Sequence, residues 1–123
     1  MNICGHIIIA ILSAMTAVEA PRSQAAADAA IAREGAYGLL QIRQACLTDV
    51  NEYAGTSYTL QDVAACPSTS RWVAINYFKR YNARSAEDAA RLWNGGPSRR
   101  YTDGYWAKVQ QHFHQPDCDC STH

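Results

Sequence analysis

Residues 36–42 read AYGLLQI, an aliphatic run that contains one glycine and one glutamine. Leu39, Leu40 and Ile42 have side chains of the kind that fill a hydrophobic core. Neither a buried strand nor a buried helix needs an amide at Gln41, and a polar group among apolar side chains needs a hydrogen-bond partner. The stretch therefore predicts a packed segment in which the Gln41 amide contacts either a nearby backbone group or a ligand.

The sequence that follows carries the start and stop signals of several short helices. Thr59 with Asp62, and Ser85 with Asp88, have the spacing of helix capping pairs. Asn94-Gly95-Gly96-Pro97 predicts a tight break between two helices. Strand signals are few, so the sequence predicts a mainly helical fold. The predicted helices have the approximate bounds 43–53, 59–66, 68–82, 86–93 and 102–113.

The first twenty residues allow two interpretations. The run from Ile7 to Val18 is apolar with near-helical spacing, and Pro21 disfavours the helical conformation at the residue before it, so we favour a buried first helix that ends near Ala20. Glu19 then lies in its last turn. The alternative is a secretory signal peptide cleaved after Ala20, which would remove Glu19. The residues before the apolar run include no Lys or Arg, unlike most signal peptides, and the run is too short to span a bilayer.

Composition limits the function classes. A chain of 123 residues predicts one domain, in which residues 21–35 form a loop with a helical piece. Eleven basic residues balance eleven acidic ones, which gives no indication of binding to nucleic acid or to an acidic membrane surface. The three Trp and seven Tyr suit a ligand with flat apolar faces, such as a sugar, and equally an ordinary protein interior. Five cysteines leave at least one unpaired, and pairing of Cys46 with Cys66 stays open.

Three pieces of the sequence, taken in order, resemble the lysozyme superfamily, especially its soluble lytic transglycosylase-like and phage-type domains. Those families carry a catalytic Glu at the end of an apolar helix. A Gly-Ala-x-Gly-(Leu/Met)-x-Gln-(Ile/Leu) segment follows, and later a Tyr-Asn-Ala-Gly-Pro-like turn; animal-type lysozymes have a similar Tyr-Gly-x-x-Gln-Ile stretch. This chain has Glu19, then GAYGLLQI at residues 35–42, then WNGGP at residues 93–97. The resemblance extends over residues 7–113.

The resemblance implies a mainly α, lysozyme-like α+β fold: a compact bundle of short helices with at most a small β-hairpin beside the active-site cleft. Residues 1–114 are the implied catalytic domain, which cleaves the β-1,4 linkage between MurNAc and GlcNAc in peptidoglycan. Glu19 is the implied acid/base. Gly38 is expected to let a sugar approach the backbone closely, and Gln41 is expected to face the sugar. The implied substrate-binding residues are Tyr37, Gln41, Trp93 and Asn94.

The chemistry of the resemblance suits Glu19. Protonating a glycosidic oxygen needs a carboxylic acid that keeps its proton near neutral pH. Apolar neighbours such as Met15 and Val18 disfavour the carboxylate, and so does the partial negative charge at the C-terminal end of a helix. Both effects are expected to raise the pKa of Glu19, which is the pattern described for the acid of lysozyme itself.

The sequence departs from the family pattern at three positions. Animal-type lysozymes have an Asp where this chain has Ala36, so a retaining mechanism with two carboxylates lacks its expected partner. Glu34 and Asp28 are near in sequence but match no motif position. A single-carboxylate transglycosylase route is therefore favoured, with single-Glu hydrolysis left open. Ala20 replaces the usual Ser after the catalytic Glu, and Trp93 replaces a Tyr.

Residues 115–123 form a tail that contains Cys and His in a spacing that matches no recognised zinc site, so neither a metal nor another cofactor is expected. The implied partner is a peptidoglycan strand, with no nucleic acid, no stable membrane insertion and a monomeric chain. Because a convincing signal peptide is missing, we expect an enzyme that acts on the cell wall in the periplasm, outside the cell or after phage delivery. The alternative function is a catalytically inactive lysozyme-like module that binds cell-wall glycan.

Overall fold

The computed structural model describes residues 3–116, which form seven α-helices and one short 3-10 helix. The only strand-like pairing in this part of the chain is an isolated antiparallel bridge between Tyr37 and Ile42. The prediction of a mainly helical fold is confirmed, and the lysozyme-like arrangement of the helices stays a prediction. The helices are α1 Gly5–Glu19, α2 Gln24–Glu34, α3 Gln44–Ala54, α4 Leu60–Ala65, α5 Pro67–Arg80, α6 Ala86–Gly95 and α7 Asp103–Gln110, with the 3-10 helix at Gly96–Ser98.

The chain divides into two compact units, and the division falls in the last turn of α1. The terminal unit contains residues 3–18 and 81–116, and the central unit contains residues 19–80. Glu19 and the AYGLLQI stretch therefore belong to the central unit, whereas the WNGGP segment belongs to the terminal unit.

Within the central unit, α3 and α4 both pack on α5. The start of α4 is fixed by a capping box, because the Thr59 hydroxyl accepts a hydrogen bond from the Asp62 amide and the Asp62 carboxylate accepts one from the Thr59 amide. The capping pair predicted from sequence is thus confirmed. α5 begins at Pro67, whose missing N–H costs nothing in the first turn of a helix. The fully buried side chains on these three helices are Leu47, Val50, Val63, Ser70, Val73, Ala74 and Phe78.

Residues 24–34 form a complete helix where the sequence predicted mostly a loop. The Ser23 hydroxyl caps its start by accepting a hydrogen bond from the Ala26 amide at 3.0 Å, and Gly35 ends it in the left-handed conformation with φ of 62°. None of its residues is buried. Sequence-based recognition of a helix depends largely on an apolar face, and α2 has no such face, so the loop prediction was wrong here.

The N-terminal residues form α1, in agreement with the favoured interpretation of that segment as a helix. It ends at Glu19, because Pro21 disfavours helical geometry at Ala20. Among the described residues, no helix combines the length and the apolar character that crossing a membrane requires. The buried side chains of α1 are Ile11, Leu12, Ala14 and Met15.

Within the terminal unit, α6 packs against α7 and against the 3-10 helix. The predicted cap of α6 is present: the Ser85 hydroxyl accepts a hydrogen bond from the Asp88 amide at 3.0 Å. α6 continues past the predicted end at Trp93, and α7 ends before the predicted end at Phe113. The break predicted at Asn94-Gly95-Gly96-Pro97 is present, but Asn94 and Gly95 still belong to α6.

The cysteines do not pair in the way that the sequence left open. Cys46 and Cys66 are both free thiols, and Cys4 is disulfide-bonded. Among residues 3–116, no three His, Cys, Asp or Glu side chains are grouped so that they could hold a metal ion. Most of the predicted tail at residues 115–123 lies outside the described residues.

Candidate functional site

Residues Gly35–Ile42 form a closed loop in the central unit, here called the motif loop. The backbone groups of Tyr37 and Ile42 exchange two hydrogen bonds, each 2.9 Å long, and the Gln41 amide donates to the Gly38 carbonyl at 3.2 Å. Within the loop, the side chains of Leu40 and Ile42 are fully buried. The apolar half of AYGLLQI therefore anchors the loop, as predicted, and leaves its turn to present polar groups.

Gly38 is required by two features of this turn. Its φ is 77°, which side chains with a Cβ rarely adopt. A Cβ at this position would also lie 2.9 Å from the Ser70 Oγ and 3.2 Å from the Val63 carbonyl oxygen. The Ser70 hydroxyl is held in place because it donates to that same carbonyl. The sequence predicts a glycine here so that a sugar can approach the backbone; in the structure, close packing and a positive φ account for it.

Gln41 makes the backbone contact that its sequence context suggested, and its contact with a ligand stays a prediction. Its Nε2 donates to the Gly38 carbonyl at 2.9 Å, and it holds the left-handed conformation with φ of 56°. Its side chain is half-buried and also lines a cleft. Its Oε1 accepts no hydrogen bond from any residue that the structure describes, and is therefore available to a ligand in that cleft.

The cleft has a volume of about 420 Å³ and lies entirely within the central unit. Its lining comes from the segment 20–24, from the face of α2 that carries Ala27 and Ile31, from the motif loop and from Ala64 of α4. Apolar and small side chains make up most of these walls. The polar lining side chains are Arg22, Ser23, Gln24 and Gln41.

The sequence-predicted residues differ in their relation to this cleft. Gln41 lines it, and Ala20, the residue next to Glu19, lines it as well. Glu19 itself is half-buried and ends α1, the place that the sequence predicted. Tyr37 is half-buried and contributes the backbone bridge that closes the motif loop rather than a wall of this cleft.

Trp93 and Asn94 lie in the last turn of α6, in the terminal unit. Trp93 is half-buried and Asn94 is exposed. Trp93 precedes, and Asn94 begins, a second turn, Asn94–Thr102, which is here called the helix-end turn. Its geometry is tight because a Cβ on Gly95 would lie 2.6 Å from the Thr102 Cγ2 and 2.9 Å from the Arg100 carbonyl oxygen.

An ion pair holds the helix-end turn. Arg99, with φ of 56°, donates from Nε to the Asp88 Oδ1 at 2.6 Å and from its other nitrogens to the Tyr81 and Pro97 carbonyls. The Asp88 Oδ2 also accepts from the Arg84 amide at 3.0 Å. The side chains of Arg99 and Asp88 are thus committed to the protein itself.

No carboxylate, that of Glu19 included, is among the described residues that line the cleft. Ala36, at the position where animal-type lysozymes have Asp, is buried and lines the cleft. Glu34 is exposed at the end of α2, 3.5 Å from the Arg43 guanidinium. Asp28 is exposed and accepts a hydrogen bond from the Gln24 Nε2 at 2.9 Å. The choice between a one-carboxylate and a two-carboxylate mechanism therefore stays a prediction.

Sequence reasoning missed Arg22, Ser23 and Gln24, which enter the cleft at the start of α2. The available signal was Ser23, because a Ser before an Ala-rich run is a common helix N-cap. Recognising this cap would have predicted the start of α2.

The two free thiols of the central unit lie outside the cleft lining and differ in acidity. Burial, with a smaller contribution from the negative charge of Asp49, raises the pKa of Cys46 to about 12. Hydrogen bonds, first from the Thr69 backbone, then from its side chain and from Ser68, lower the pKa of the exposed Cys66 thiol. Neither thiol is placed to act on a ligand in the cleft.

Comparisons with known proteins add no family to these observations. No family model matches this chain, and no curated protein or solved structure is found to match it. The likeness to the lysozyme superfamily therefore depends on the motif residues themselves, and the activity it implies is a proposal.

Proposed function

We propose that this chain cleaves the β-1,4 linkage between MurNAc and GlcNAc in peptidoglycan, with Glu19 as the acid/base. One observation carries the proposal: the cleft of the central unit is lined both by Gln41 of the motif loop and by Ala20, the neighbour of Glu19. Gln41 and the residue that follows Glu19 thus border one concave surface, and the proposal requires Glu19, which is not itself a lining residue, to act at its edge.

The polar and apolar lining suits a sugar ring. The Gln41 Oε1 is an acceptor for a sugar hydroxyl or an acetamido N–H, and the nearby Leu39 and Ile31 offer apolar contact to the faces of the ring. Glu19 at the C-terminal end of α1 lies where helix carbonyls disfavour a carboxylate. This supports the role of a proton donor near neutral pH.

A single carboxylate favours transglycosylation. Glu19 donates its proton to the glycosidic oxygen, and the bond from the anomeric carbon of MurNAc to that oxygen breaks. The Glu19 carboxylate then takes the proton of the MurNAc C6 hydroxyl, whose oxygen forms a bond to the anomeric carbon. The products are a 1,6-anhydro-MurNAc end and a GlcNAc with a free 4-hydroxyl, and Glu19 is again protonated.

The second candidate function is a module that binds cell-wall glycan without cleaving it. The observation that favours it is the cleft lining, in which Ala36 is buried and no Asp or Glu occurs among the described residues. Such a module would use the same Gln41 contacts and would not depend on Glu19 for binding.

The test is mass spectrometry of purified peptidoglycan after incubation with the wild-type chain, with Glu19→Gln and with Glu34→Gln as a matched loss of one carboxylate. We expect soluble anhydro-muropeptides from the wild type and from Glu34→Gln, and a loss of more than about a hundredfold in Glu19→Gln.

The other outcomes separate the candidates. Muropeptides with reducing ends that disappear in Glu19→Gln would replace transglycosylation with hydrolysis. The absence of soluble fragments from every variant, with the proteins still sedimenting with the wall, would overturn the enzyme proposal and favour the binding module.

A further inference from the structure

Arg22 is the one charged side chain among the described residues that line the cleft. It is exposed, and it forms no ion pair with any residue in the part of the chain that the structure describes. Most exposed arginines point into open solvent, whereas Arg22 borders a concave surface whose walls are partly apolar. An unpaired cation in a concave site attracts anions more strongly than the same cation on a convex surface, because the low-dielectric walls focus its field.

The carboxylates of Glu19, Asp28 and Glu34, which are close to the cleft residues in sequence, all lie outside the described cleft lining. Asp28 accepts a hydrogen bond from the Gln24 Nε2 at 2.9 Å, and Glu34 pairs with Arg43 at 3.5 Å. Neither carboxylate lines the cleft. The positive charge of Arg22 is therefore not balanced from within the cleft, and a bound anion is the group that would balance it.

The two amides of the cleft share an arrangement that complements Arg22. The Gln24 Nε2 donates to Asp28 and the Gln41 Nε2 donates to the Gly38 carbonyl, each at 2.9 Å. In both side chains an N–H is used within the protein while the oxygen accepts no hydrogen bond from the described residues. The cleft thus offers acceptor oxygens for hydroxyl and N–H groups, and one guanidinium for a carboxylate.

We propose that Arg22 makes this cleft selective for a glycan that carries carboxylates over a neutral glycan with the same backbone. The inference rests on the proposed function, since it assumes that the cleft binds a glycan. A strand of alternating MurNAc and GlcNAc carries a lactyl carboxylate on every second sugar when its peptides are removed, whereas a GlcNAc oligomer carries none. The Arg22 guanidinium matches the planar carboxylate with paired donors.

The experiment compares the affinities of two tetrasaccharides, a peptide-free MurNAc–GlcNAc tetramer and a GlcNAc tetramer. Both are titrated into the full chain carrying Glu19→Gln, so that no cleavage occurs during calorimetry. The variants added to this background are Arg22→Gln and, as the matched control, Arg33→Gln. Arg33 is also exposed, lies on α2, forms no ion pair with a described residue and does not line the cleft.

We expect the parent to bind the anionic tetramer about tenfold more tightly than the neutral one at 50 mM salt, because one charge-assisted contact contributes about this much. The preference should fall at 500 mM salt, where the Debye length is only about 4 Å. Arg22→Gln should reduce the preference to less than about twofold, because it should weaken binding of the anionic tetramer far more than binding of the neutral one. Arg33→Gln should keep the preference.

Retention of the preference in Arg22→Gln, or a preference that does not respond to salt, would overturn the inference while leaving the proposed function intact. A Gln41→Met variant reports on the cleft itself, because it should weaken binding of both tetramers. If neither tetramer binds to the parent at millimolar concentration, the proposed function fails together with the inference.

Discussion

The motif loop and the helix-end turn use the same backbone devices for different ends. Each contains a glycine with no room for a Cβ, Gly38 in the first and Gly95 in the second. Each also contains larger residues in the left-handed conformation: Gln41, with φ of 56°, in the first, and Arg99 and Tyr101, with φ of 56° and 60°, in the second. Strained backbone is often associated with functional sites, but here it occurs in both turns and so does not distinguish them.

Gln41 of the motif loop and Arg99 of the helix-end turn differ in what their polar side chains contact. Arg99 donates to one carboxylate and two carbonyls of its own unit, so its function is to hold the turn. Gln41 uses one N–H on the Gly38 carbonyl and leaves its oxygen open beside a cleft. The open oxygen of Gln41 beside a cleft, rather than the strain, is therefore what supports the binding role proposed for it.

The ion pairs of the two turns also differ, in the distance between their charged groups and in the exposure of their side chains. Asp88 and Arg99 are 2.6 Å apart, with side chains 27% exposed, and they join α6 to the turn that follows it. Glu34 and Arg43, one at each end of the motif loop, are 3.5 Å apart and mostly exposed, at 58% and 63%. The helix-end turn should therefore depend on its ion pair for stability, and the motif loop should depend on packing around Gly38.

The largest expected effect is that of Gly38→Ala. The added Cβ meets the Ser70 hydroxyl and the Val63 backbone, and the residue must keep a positive φ. We expect a loss of about 3 kcal/mol in the free energy of unfolding, from overpacking together with left-handed strain. Urea unfolding followed by circular dichroism measures it.

The matched control for this change is Gly55→Ala. Gly55 has a similar φ of 71°, but a Cβ there meets nothing within 4 Å. Its loss should be about 1 kcal/mol, the cost of the backbone conformation alone. Equal losses for the two variants would show that packing against Ser70 and Val63 does not hold the motif loop.

The next effect tests the helix-end turn through Asp88→Asn. The change removes the counterion of Arg99 and weakens the acceptor for the Arg84 amide. We expect a loss of about 2 kcal/mol in the free energy of unfolding, toward the lower part of the range for charged hydrogen bonds because both side chains are partly exposed. Glu87→Gln, which breaks a more exposed pair with Arg91, should cost under about 0.5 kcal/mol. A loss for Asp88→Asn as small as that of its control would remove the structural role assigned to this pair.

Much of the fold could be predicted because its signals are local. The Thr59–Asp62 and Ser85–Asp88 pairs each mark the start of a helix within four residues of sequence, and both helices begin there. The end of α1 was equally local, since Pro21 acts on the residue directly before it. Such signals need no knowledge of what packs against the helix.

The features that escaped prediction depend on contacts distant in sequence. α2 has no buried residue, so its sequence has no periodic apolar face to reveal it. The need for glycine at Gly38 comes from Ser70 and Val63, which no pattern around AYGLLQI indicates. The position of Arg22 in the cleft follows from both, because the cleft exists only where α2 and the motif loop come together.

Gln41→Met sharpens the comparison on the side of binding. Methionine keeps the length and shape of the side chain but removes both the donor to the Gly38 carbonyl and the open oxygen. We expect the affinity for a GlcNAc tetramer to fall about tenfold, with a loss of about 1 kcal/mol in the free energy of unfolding. Calorimetry and urea unfolding measure the two quantities separately. A large loss of stability with unchanged affinity would make Gln41 a structural residue like Arg99.

The smallest expected effect belongs to Glu34→Gln, the counterpart of Asp88→Asn in the motif loop. Because the pair with Arg43 is long and mostly exposed, its loss should change the free energy of unfolding by less than about 0.5 kcal/mol. Release of soluble muropeptides should stay within about twofold of the wild type, since Glu34 lies outside the cleft lining. Side-by-side unfolding curves and digests of the two variants provide the measurement. A stability loss equal to that of Asp88→Asn would erase the difference between the two turns, and a large loss of cleavage with normal stability would identify Glu34 as the second carboxylate that a hydrolase requires.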